Sequence, residues 1–551
     1  MLGKKATSLV LAAILSLTAL GGCSSNAETP SATESSSTES SSSTTSSAGE
    51  SGAGYKLPIA NNDVTLTIMG RENSSPTAPT YASGELPVWN KIQELTGVNL
   101  EFDCVISADY EKTVQTRLAS GQDLPDILTI PDPVPYIATG MFEPLNDLID
   151  QYAPDVKRVL DENYDVKAAV SDSDGTIYCV PTVPKDVNKI HTKILFIRQD
   201  WLDRLNLEVP ETMDDWYNVL KAFKEEDADG DGDPNNEIPM MVPSQDEIWD
   251  VRSFCGAFNV EMPYAKGYSI KDGQVYYAFD TEEGRAFVEF MNKCWTEGLL
   301  ENRASADARS AFSAGQVGVI EDFPDGIVAP MNLLTEGNPD AAVSACPFPT
   351  TEYCPEGRSV SPYNAYEYNA AGFITSSSEN KEVAMQFLNF LYSEEGTLLC
   401  NFGVEGEQYT MENGEPVITE YYTNNPDGLN YSDAQREIGA RPGFPYIYSR
   451  SFEEQCKSLD PVIESTIPLI EKVSAPPTMP SVLPTQEEAN DLKMLQADFD
   501  TYVAENLTML IQGDTPMSEY DNFVTGLYDM GLEDILAIKQ AQYDRYVENQ
   551  K

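Results

Sequence analysis

The sequence predicts an α/β fold in which helices connect the strands of a parallel sheet. Residues 64–69, 98–104 and 127–130 show the alternation or the short apolar run that strands show. Between them, residues 86–96 and 110–118 repeat apolar side chains at helical spacing, and a glycine follows each stretch. Three strands alternating with two helices within about 70 residues are typical of a parallel sheet with right-handed crossovers.

Similar patterns continue along the chain. Residues 194–198 read as a strand, and residues 382–392 and 520–546 read as helices. Thr212, followed three residues later by Asp215, predicts an N-terminal capping box. Ligands of open α/β sheets bind beyond the carboxyl ends of the strands, so we expect a binding region at those ends, near residues 69–71, 107 and 131–132.

The first 23 residues read as a secretion signal. Lys4 and Lys5 precede an apolar run over residues 9–20, which is too short to span a membrane. The run ends in Leu-Gly-Gly-Cys, which resembles the lipobox of bacterial lipoproteins. We therefore expect residues 1–22 to be removed, Cys23 to carry lipid, and the Ser/Thr-rich residues 23–55 to form a tether on the outer face of the membrane.

Composition excludes several classes of function. The formal charge is −54, which argues against nucleic acid as a partner because such binding depends on basic patches. His191 is the one histidine, which excludes zinc motifs with two histidines. Nine cysteines leave eight after the lipid cysteine, and the sequence is compatible with either disulfides or buried thiols.

Residues 227–238, hereafter the calcium loop, have the spacing of a cation-binding loop. Asp227, Asp229 and Asp231 occupy positions 1, 3 and 5 of an EF-hand pattern, and a glycine follows at position 6. The pattern departs at its end, because the glutamate stands at position 11. Aspartates at alternate positions repel one another unless a cation neutralises them. The predicted Ca²⁺ ligands are Asp227, Asp229, Asp231, Asp233, Asn235 and Glu237, and we expect a structural ion.

Several segments together carry a resemblance. They are the lipobox, GQDLPDILTI (121–130), IRQDWLDRLNLEVPETMDDW (197–216), the calcium loop with EIP (237–239), NKEVAMQFLNFLYSEEG (380–396) and FGVEGEQYTM (402–411). In this order they resemble the large extracellular solute-binding lipoproteins of carbohydrate ABC importers of Gram-positive bacteria. The resemblance covers nearly all of the chain after the tether.

The resemblance implies a type II periplasmic-binding-protein-like fold with two α/β lobes around a ligand cleft. It places lobe I at 56–183 plus 370–440 and lobe II at 184–369 plus 441–551, with crossings near 181–185, 369–372 and 441. It implies a monomer without catalysis that passes an oligosaccharide to the permease subunits of an ABC transporter. It also implies a calcium ion in lobe II, away from the ligand.

Sugars offer apolar faces to aromatic rings and hydroxyls to charged or amide side chains. Trp249 lies among polar residues, so we expect it to stack on a sugar, whereas Trp216 falls on an apolar helix stripe and should be core. The remaining candidate contacts combine tyrosines near the crossings with charged residues near strand ends. They are Asp132, Arg198, Arg252, Glu321, Tyr363, Tyr366 and Tyr448.

Three alternatives stay open at this point. Among 89 acidic residues, two carboxylates at glycosidase spacing are unavoidable, so the sequence does not exclude a carbohydrate-active enzyme. The same fold could bind a peptide or another small solute. It could also serve as an adhesin, or as a sensor subunit that feeds a signalling receptor.

Overall fold

The computed structural model describes most of the chain beyond the tether. The described residues are 56–73, 78–130, 133–137, 139–185, 192–233, 235–244, 247–262, 266–360, 371–427, 429–458, 460–471, 479–480 and 482–550. Within them, none of the helices combines the length and the apolar composition that a membrane span requires.

Fifteen strands lie along the described chain. They are β1 (Thr65–Met69), β2 (Asn99–Phe102), β3 (Ile127–Thr129), β4 (Val183–Pro184), β5 (Ile194–Arg198), β6 (Ile238–Val242), β7 (Tyr268–Lys271), β8 (Gln274–Tyr277), β9 (Leu300–Asn302), β10 (Val317–Asp322), β11 (Val343–Ala345), β12 (Gly372–Ile374), β13 (Tyr409–Glu412), β14 (Glu415–Ile418) and β15 (Ile447–Tyr448).

The helices fall into two groups by the core on which they pack. Those of the first group are α1 (Pro87–Thr96), α2 (Ser107–Ser120), α3 (Val134–Ile137), α4 (Asn146–Tyr152), α5 (Pro154–Glu162), α6 (Tyr164–Val170), α13 (Lys381–Tyr392), α14 (Glu394–Phe402), α15 (Glu420–Thr423), α16 (Tyr431–Glu437) and α17 (Arg450–Lys457). Those of the second group are α7 (Gln199–Leu205), α8 (Met213–Glu225), α9 (Arg252–Ala257), α10 (Glu282–Thr296), α11 (Ser305–Ser313), α12 (Val328–Gly337), α18 (Pro461–Glu464), α19 (Ile467–Glu471), α20 (Gln486–Gln512), α21 (Tyr520–Asp529) and α22 (Leu532–Asn549).

Two separate sheets organise the fold. The first has the order β12-β3-β1-β2, with β1 parallel to both β2 and β3 and with β12 antiparallel at the edge. The second has the order β11-β5-β10-β6-β9, in which β10, β6 and β9 are parallel and β5 runs against β10. The predicted parallel sheet of the first 130 residues is therefore confirmed.

Each sheet has its own apolar core, which defines the two lobes. One large cluster surrounds the first sheet, and two clusters cover the two faces of the second sheet. Alternation along β5 places Leu195 and Ile197 in one of these clusters and Ile194 and Phe196 in the other. A strand buried on both faces explains the continuous apolar run in its sequence.

The chain changes lobes three times. The first change lies between Lys185 and Thr192, and the second lies between Val360 and Ala371, close to the predicted boundaries. The third differs from the prediction of 440/441, since Phe444 to Cys456 still pack in the first core and Ile463 is the next residue in the other. Tyrosine and phenylalanine rings after the Arg-Pro-Gly turn explain the difference, because they fill space in lobe I.

Backbone pairing ties these crossings together. The short strands β4 and β15 pair in parallel, with Val183 opposite Ile447 and Tyr448 opposite Pro184. On the lobe II side, the Thr192 hydroxyl donates to Ser359 Oγ at 2.8 Å. The ends of the crossing segments are therefore bonded to one another in lobe I and in lobe II.

Several local predictions are confirmed. Thr212 and Asp215 form the expected capping box, and α13, α21 and α22 occupy the predicted helical stretches. Trp216 is fully buried in the second core. The eight described cysteines, Cys104 to Cys456, are all free thiols, and seven of them are buried, which decides the cysteine question for the described chain.

Candidate functional site

A cluster of charged residues lies at the carboxyl end of the second sheet. Lys193 Nζ is 3.4 Å from Asp250 Oδ2, and Arg252 Nε is 3.5 Å from Asp250 Oδ1. Each of the three residues is only 7% exposed. Lys193 reaches this edge because β5 runs antiparallel to β10, so the start of β5 lies beside Asp322 at the end of β10. Asp250 and Arg252 come from the segment that follows β6.

Glu321, near the end of β10, lies beneath the same cluster. Its carboxylate accepts hydrogen bonds from the backbone N–H groups of Arg252 and Ser253 at 2.8 and 2.7 Å, at the start of α9. Glu321 is 0% exposed. Burial raises the pKa of Glu321, and the positive charge of Lys193 partly opposes this shift. Glu321 therefore positions the segment that carries Arg252, and its predicted contact with ligand is corrected to this supporting role.

The last residue of β10 and the loop after it carry two further ion pairs. Asp322 accepts a bidentate pair from Arg309 at 2.6 and 2.8 Å. Asp325 lies 3.4 Å from Nη1 of Arg441, which belongs to lobe I. Asp250, Asp322 and Asp325 at this edge thus each form an ion pair with a basic side chain. The net charge of the chain does not reveal this local pairing.

The corresponding edge of the first sheet is also polar. Arg71 follows β1, pairs by a backbone bridge with Val105, and places its guanidinium 5.3 Å from the centre of the Tyr110 ring. Its Nη2 is 3.9 Å from Glu111 on α2. β1 and β2 therefore end close to the predicted positions and lie side by side there. Residues 131–132, which follow β3, are outside the described chain.

Tyr448 lies on the crossing formed by β4 and β15. It is half-buried, and burial raises its pKa, with the nearby charge of Glu453 acting in the same direction. Arg441 opposes that shift, so both charged residues lie near the phenol. Tyr448 thus lies at a lobe crossing, and its contact with a ligand stays a prediction.

Trp249 does not present a stacking face in this structure. It packs in the second core and is 3% exposed. The prediction took it for a stacking residue because its sequence neighbours are charged, but two of them, Asp250 and Arg252, are buried and pair with each other, and Asp250 also pairs with Lys193. Its indole Nε1 is buried without a hydrogen-bond partner among the described residues.

Arg198 is also a structural residue. Its Nε and Nη2 bind the two oxygens of Asp200 at 2.8 and 2.6 Å, and its Nη1 donates to the carbonyl of Gly315 at 3.2 Å. The guanidinium lies 5.1 Å from the centre of the Trp201 ring. Arg198 ends β5 beside the start of β10, so it lies at the opposite end of the sheet from Lys193, and its predicted ligand contact is corrected.

Four predicted site residues lie outside the described chain: Cys23, Asp132, Tyr363 and Tyr366. The sequence reasoning missed Lys193, Asp250, Asp325 and Arg441 as site residues. A signal was present for Lys193, since a charged residue directly before an all-apolar strand marks the edge of a sheet. The Asp-Val-Arg order of 250–252 also places two opposite charges two residues apart.

The calcium loop lies at the other end of the second sheet. The carboxylate oxygens of Asp227, Asp229 and Asp231 all lie within 4.8 Å of one another. The Gly232 N–H donates to both oxygens of Asp227 at 3.2 Å, which closes the loop around the cluster. Gly232 has φ 95°, a left-handed conformation that favours glycine at the turn.

Glu237 adds a second observation that points to a cation. It is 4% exposed, and its Oε1 accepts the Ala228 N–H at 3.0 Å, while its Oε2 is buried without a partner among the described residues. Burial raises the pKa of Glu237, and the charge of Asp229 raises it further. A buried carboxylate oxygen without a described partner, in the same loop as three convergent aspartates, fits a hard cation such as Ca²⁺.

Two further predicted ligands, Asp233 and Asn235, contact each other. Asp233 Oδ1 accepts hydrogen bonds from the Asn235 backbone and side chain at 3.2 and 2.9 Å. The prediction for Asp233 concerns its backbone carbonyl at position 7 of the pattern, so both residues stay predictions as ligands.

Comparison with known proteins places these features in a family. The model of the family "Bacterial extracellular solute-binding protein" matches residues 75–398. The fructooligosaccharide ABC transporter substrate-binding protein FusA of Streptococcus pneumoniae serotype 4 is 26% identical over 500 residues, 86% of this chain and 90% of the relative. Lipoprotein LipO of Bacillus subtilis strain 168 is 28% identical over 372 residues, 63% of this chain and 68% of the relative.

Solved structures share the fold. The alginate-binding protein AlgQ2, solved without calcium ion, matches with a TM-score of 0.71 and 25% identity over 88% of this chain and 99% of that chain. An EF-hand mutant of the Streptococcus pneumoniae protein FusA, in complex with fructo-nystose, matches with a TM-score of 0.71 and 23% identity over 88% of this chain and 100% of that chain. With two α/β lobes, three crossings and a family match over more than half its length, this chain belongs to the bacterial extracellular solute-binding proteins.

Proposed function

We propose that this chain captures an oligosaccharide between its lobes and delivers it to the permease of an ABC transporter. The observation that carries the proposal is the similarity to FusA along 86% of the chain, combined with the two-lobe fold. Capture would proceed by a shift from open to closed lobes, since only the closed arrangement lets a ligand contact both sheet edges. The chain acts as a binding protein in this proposal, and no residue has a catalytic role.

The charge balance of the lobe II edge favours a neutral sugar. Lys193, Arg252, Arg309 and Arg441 face the carboxylates Asp250, Glu321, Asp322 and Asp325. An acidic sugar would meet carboxylates without an excess of positive charge, whereas paired charges offer both donors and acceptors to hydroxyls. The contacts that we propose for the sugar are Arg252 and Tyr448, together with the predicted Asp132, Tyr363 and Tyr366.

Two further features complete the proposal. The calcium loop holds Ca²⁺ through Asp227, Asp229, Asp231 and Glu237, with the remaining ligands from backbone oxygens or water.

Lipid on Cys23 anchors a monomer to the outer face of the membrane, so that cargo is released beside the permease. For the anchor, Cys23→Ser is expected to move the protein from the membrane fraction to the soluble fraction of the expressing cells.

A ligand screen tests the proposed function. The full chain carrying Cys23→Ser is melted in calcium with fructo-oligosaccharides, with oligogalacturonates and with peptides. A ligand at about one hundred times its Kd adds about 2.7 kcal/mol to the free energy of unfolding. Stabilisation by the neutral oligosaccharides supports the proposal, stabilisation by oligogalacturonates alone would replace the neutral sugar by an acidic one, and a response to peptides alone would refute it.

A pair of tyrosine variants then places the ligand. Tyr448→Phe removes the hydroxyl at the crossing and is expected to weaken binding by about threefold or more in isothermal titration. The control is Tyr421→Phe, because Tyr421 is half-buried in lobe I and its hydroxyl donates to Ala434 O at 3.0 Å. Equal affinities of both variants would remove Tyr448 from the site. Chromatography of the titrated sugar checks that no shorter product has formed.

A further inference from the structure

Among the described residues, one ion pair joins the two lobes beside the cleft, and a second contact joins α6 to α22, where the Tyr164 hydroxyl donates to the Tyr546 carbonyl at 3.0 Å. Arg441 Nη1 lies 3.4 Å from Asp325 Oδ2, and their side chains are 26% and 14% exposed. Arg441 follows α16 in lobe I, between the core residues Ala440 and Phe444. Asp325 belongs to the loop after β10 in lobe II. The pair therefore joins the two lobes through side chains alone at this point.

Arg441 is fixed firmly within lobe I. Its backbone lies in the left-handed region, with φ 53°, and its N–H donates to the Cys400 carbonyl at 2.7 Å. Its Nη1 also donates to Ser432 Oγ at 3.0 Å. A non-glycine residue persists in this conformation only where its surroundings hold it. The guanidinium is thus presented at a defined point of the lobe surface.

The loop that carries Asp325 is held in place in lobe II by the contacts of neighbouring residues. Three residues before it, Asp322 forms the bidentate pair with Arg309, and the ring of Phe323 lies 5.4 Å from the Arg252 guanidinium. Burial raises the pKa of Tyr431 in lobe I, and the charge of Asp325 raises it further, so Asp325 faces a second lobe I side chain. Movement of one lobe against the other must break or stretch this contact.

We infer that Arg441 and Asp325 are positioning residues that hold the lobes in the joined arrangement and thereby set the affinity for ligand. The effect on affinity rests on the proposed function, but the effect on the lobes does not. Because the pair is partly shielded from water, its loss is expected to change the ratio of open to joined lobes by about fivefold. The affinity should fall by up to the same factor, because the apparent Kd equals the intrinsic Kd divided by the fraction of joined molecules.

The test measures the distance between the lobes without ligand. Labels are introduced through unnatural amino acids at Gln115 on α2 and Leu333 on α12, because eight native cysteines preclude thiol labelling. Leu333 is 57% exposed, and Gln115 is exposed as well. Pulsed electron resonance then gives the distance distribution of the full chain carrying Cys23→Ser, with and without Asp325→Asn.

The matched control removes an ion pair within one lobe. Lys381 and Glu143 lie 2.7 Å apart in lobe I with side chains 30% and 27% exposed, so Glu143→Gln has a similar local cost without touching lobe II. We expect longer distances for Asp325→Asn and an unchanged distribution for Glu143→Gln. Superimposed distributions of Asp325→Asn and the parent would overturn the inference, and so would equal shifts in both variants.

Ligand binding separates this inference from the proposed function. If Asp325→Asn lengthens the distances while no oligosaccharide binds, the positioning role stands and the sugar assignment fails. If oligosaccharide binds to the parent and to Asp325→Asn with equal affinity, the role of the pair in affinity is refuted. A melting temperature of Asp325→Asn in calcium close to that of the parent confirms that the comparison concerns folded protein.

Discussion

The two ends of the second sheet use the same residue type in opposite ways. At the start of β6, three aspartates of the calcium loop each bring one carboxylate oxygen within 4.8 Å of the others, while the nearby Arg204 donates to the Ala228 carbonyl of the loop. At the carboxyl end, Asp250, Asp322 and Asp325 each have an arginine or lysine within 3.5 Å. Strands of five or six residues separate the ends by about 15–20 Å.

The difference shows where each end obtains its positive charge. We expect the carboxylates at the loop end to take their positive charge from a bound ion, so that this end responds to calcium concentration. At the carboxyl end of the sheet, hereafter the cleft end, basic side chains of the chain itself neutralise the carboxylates. We therefore expect this end to need no bound ion and to remain available for the hydroxyls of a neutral ligand. A chain with formal charge −54 thus uses some of its few basic residues at the cleft edge.

Loss of Asp250 is the largest effect that we expect. Asp250→Asn leaves Lys193 and Arg252 close together in the interior without their shared carboxylate. Removing one partner of a buried ion pair costs about 3–5 kcal/mol, which urea denaturation measures directly. The control is Asp161→Asn, whose exposed pair with Lys167 spans 3.0 Å and should cost about 0.5 kcal/mol or less. Similar costs for both variants would show that the cleft-end cluster is not buried.

Calcium removal comes next. At about one hundred times its Kd, calcium is expected to raise the free energy of unfolding by about 2.7 kcal/mol, and a chelator should reverse this. Asp229→Asn should abolish the response, whereas Asp214→Asn, an exposed aspartate in the first turn of α8, should keep it. A calcium response that survives in Asp229→Asn would place the ion elsewhere.

The pH dependence of stability should reveal Glu321. Its folded-state pKa is raised above the ordinary value of 4.5, chiefly by burial. Between these two pKa values the folded chain holds more protons than the unfolded chain, so the contribution of Glu321 to stability falls as pH rises through that window. Glu321→Gln removes this loss, and its denaturation free energy should fall less than that of the parent. Parallel pH curves for the two proteins would contradict the burial of an ionisable Glu321.

The smallest effect concerns Trp249. Because its indole N–H has no partner among the described residues, Trp249→Phe loses packing volume but no hydrogen bond. We expect a cost of about 1–2 kcal/mol in stability and less than a twofold change in ligand affinity. Trp216→Phe is the matched control from the same core. An affinity loss confined to Trp249→Phe would restore the predicted stacking role.

Local patterns predicted most of the lobe architecture. Alternation and helical stripes identified β1, α1, β2 and α2, because each has one face against the core, and an apolar run identified β3, which is buried throughout. The aspartate spacing predicted the cluster of Asp227, Asp229 and Asp231, since all its members lie within one short loop. Such features depend on neighbours in sequence, and these are visible without a structure.

The cleft end could not be read in this way, because its contacts join distant segments. Arg252 and Glu321 are 69 positions apart, and Arg441 and Asp325 are 116 positions apart. Trp249 looked exposed because its sequence neighbours are charged, yet Asp250 is buried beside it with Lys193, 57 positions away, as its countercharge. The same logic explains Arg198, whose partner Asp200 was visible in the sequence but whose burial was not.

Calorimetric titration of a fructo-oligosaccharide into the full chain carrying Cys23→Ser, with calcium and with chelator, tests the account most directly. Both titrations are made below the melting temperature of the calcium-free protein. The account predicts one ligand per chain and dissociation constants that agree within about twofold, because the ion and the ligand occupy opposite ends of the sheet. No binding to the sugar, or a loss of about tenfold or more in affinity while the protein stays folded, would contradict it.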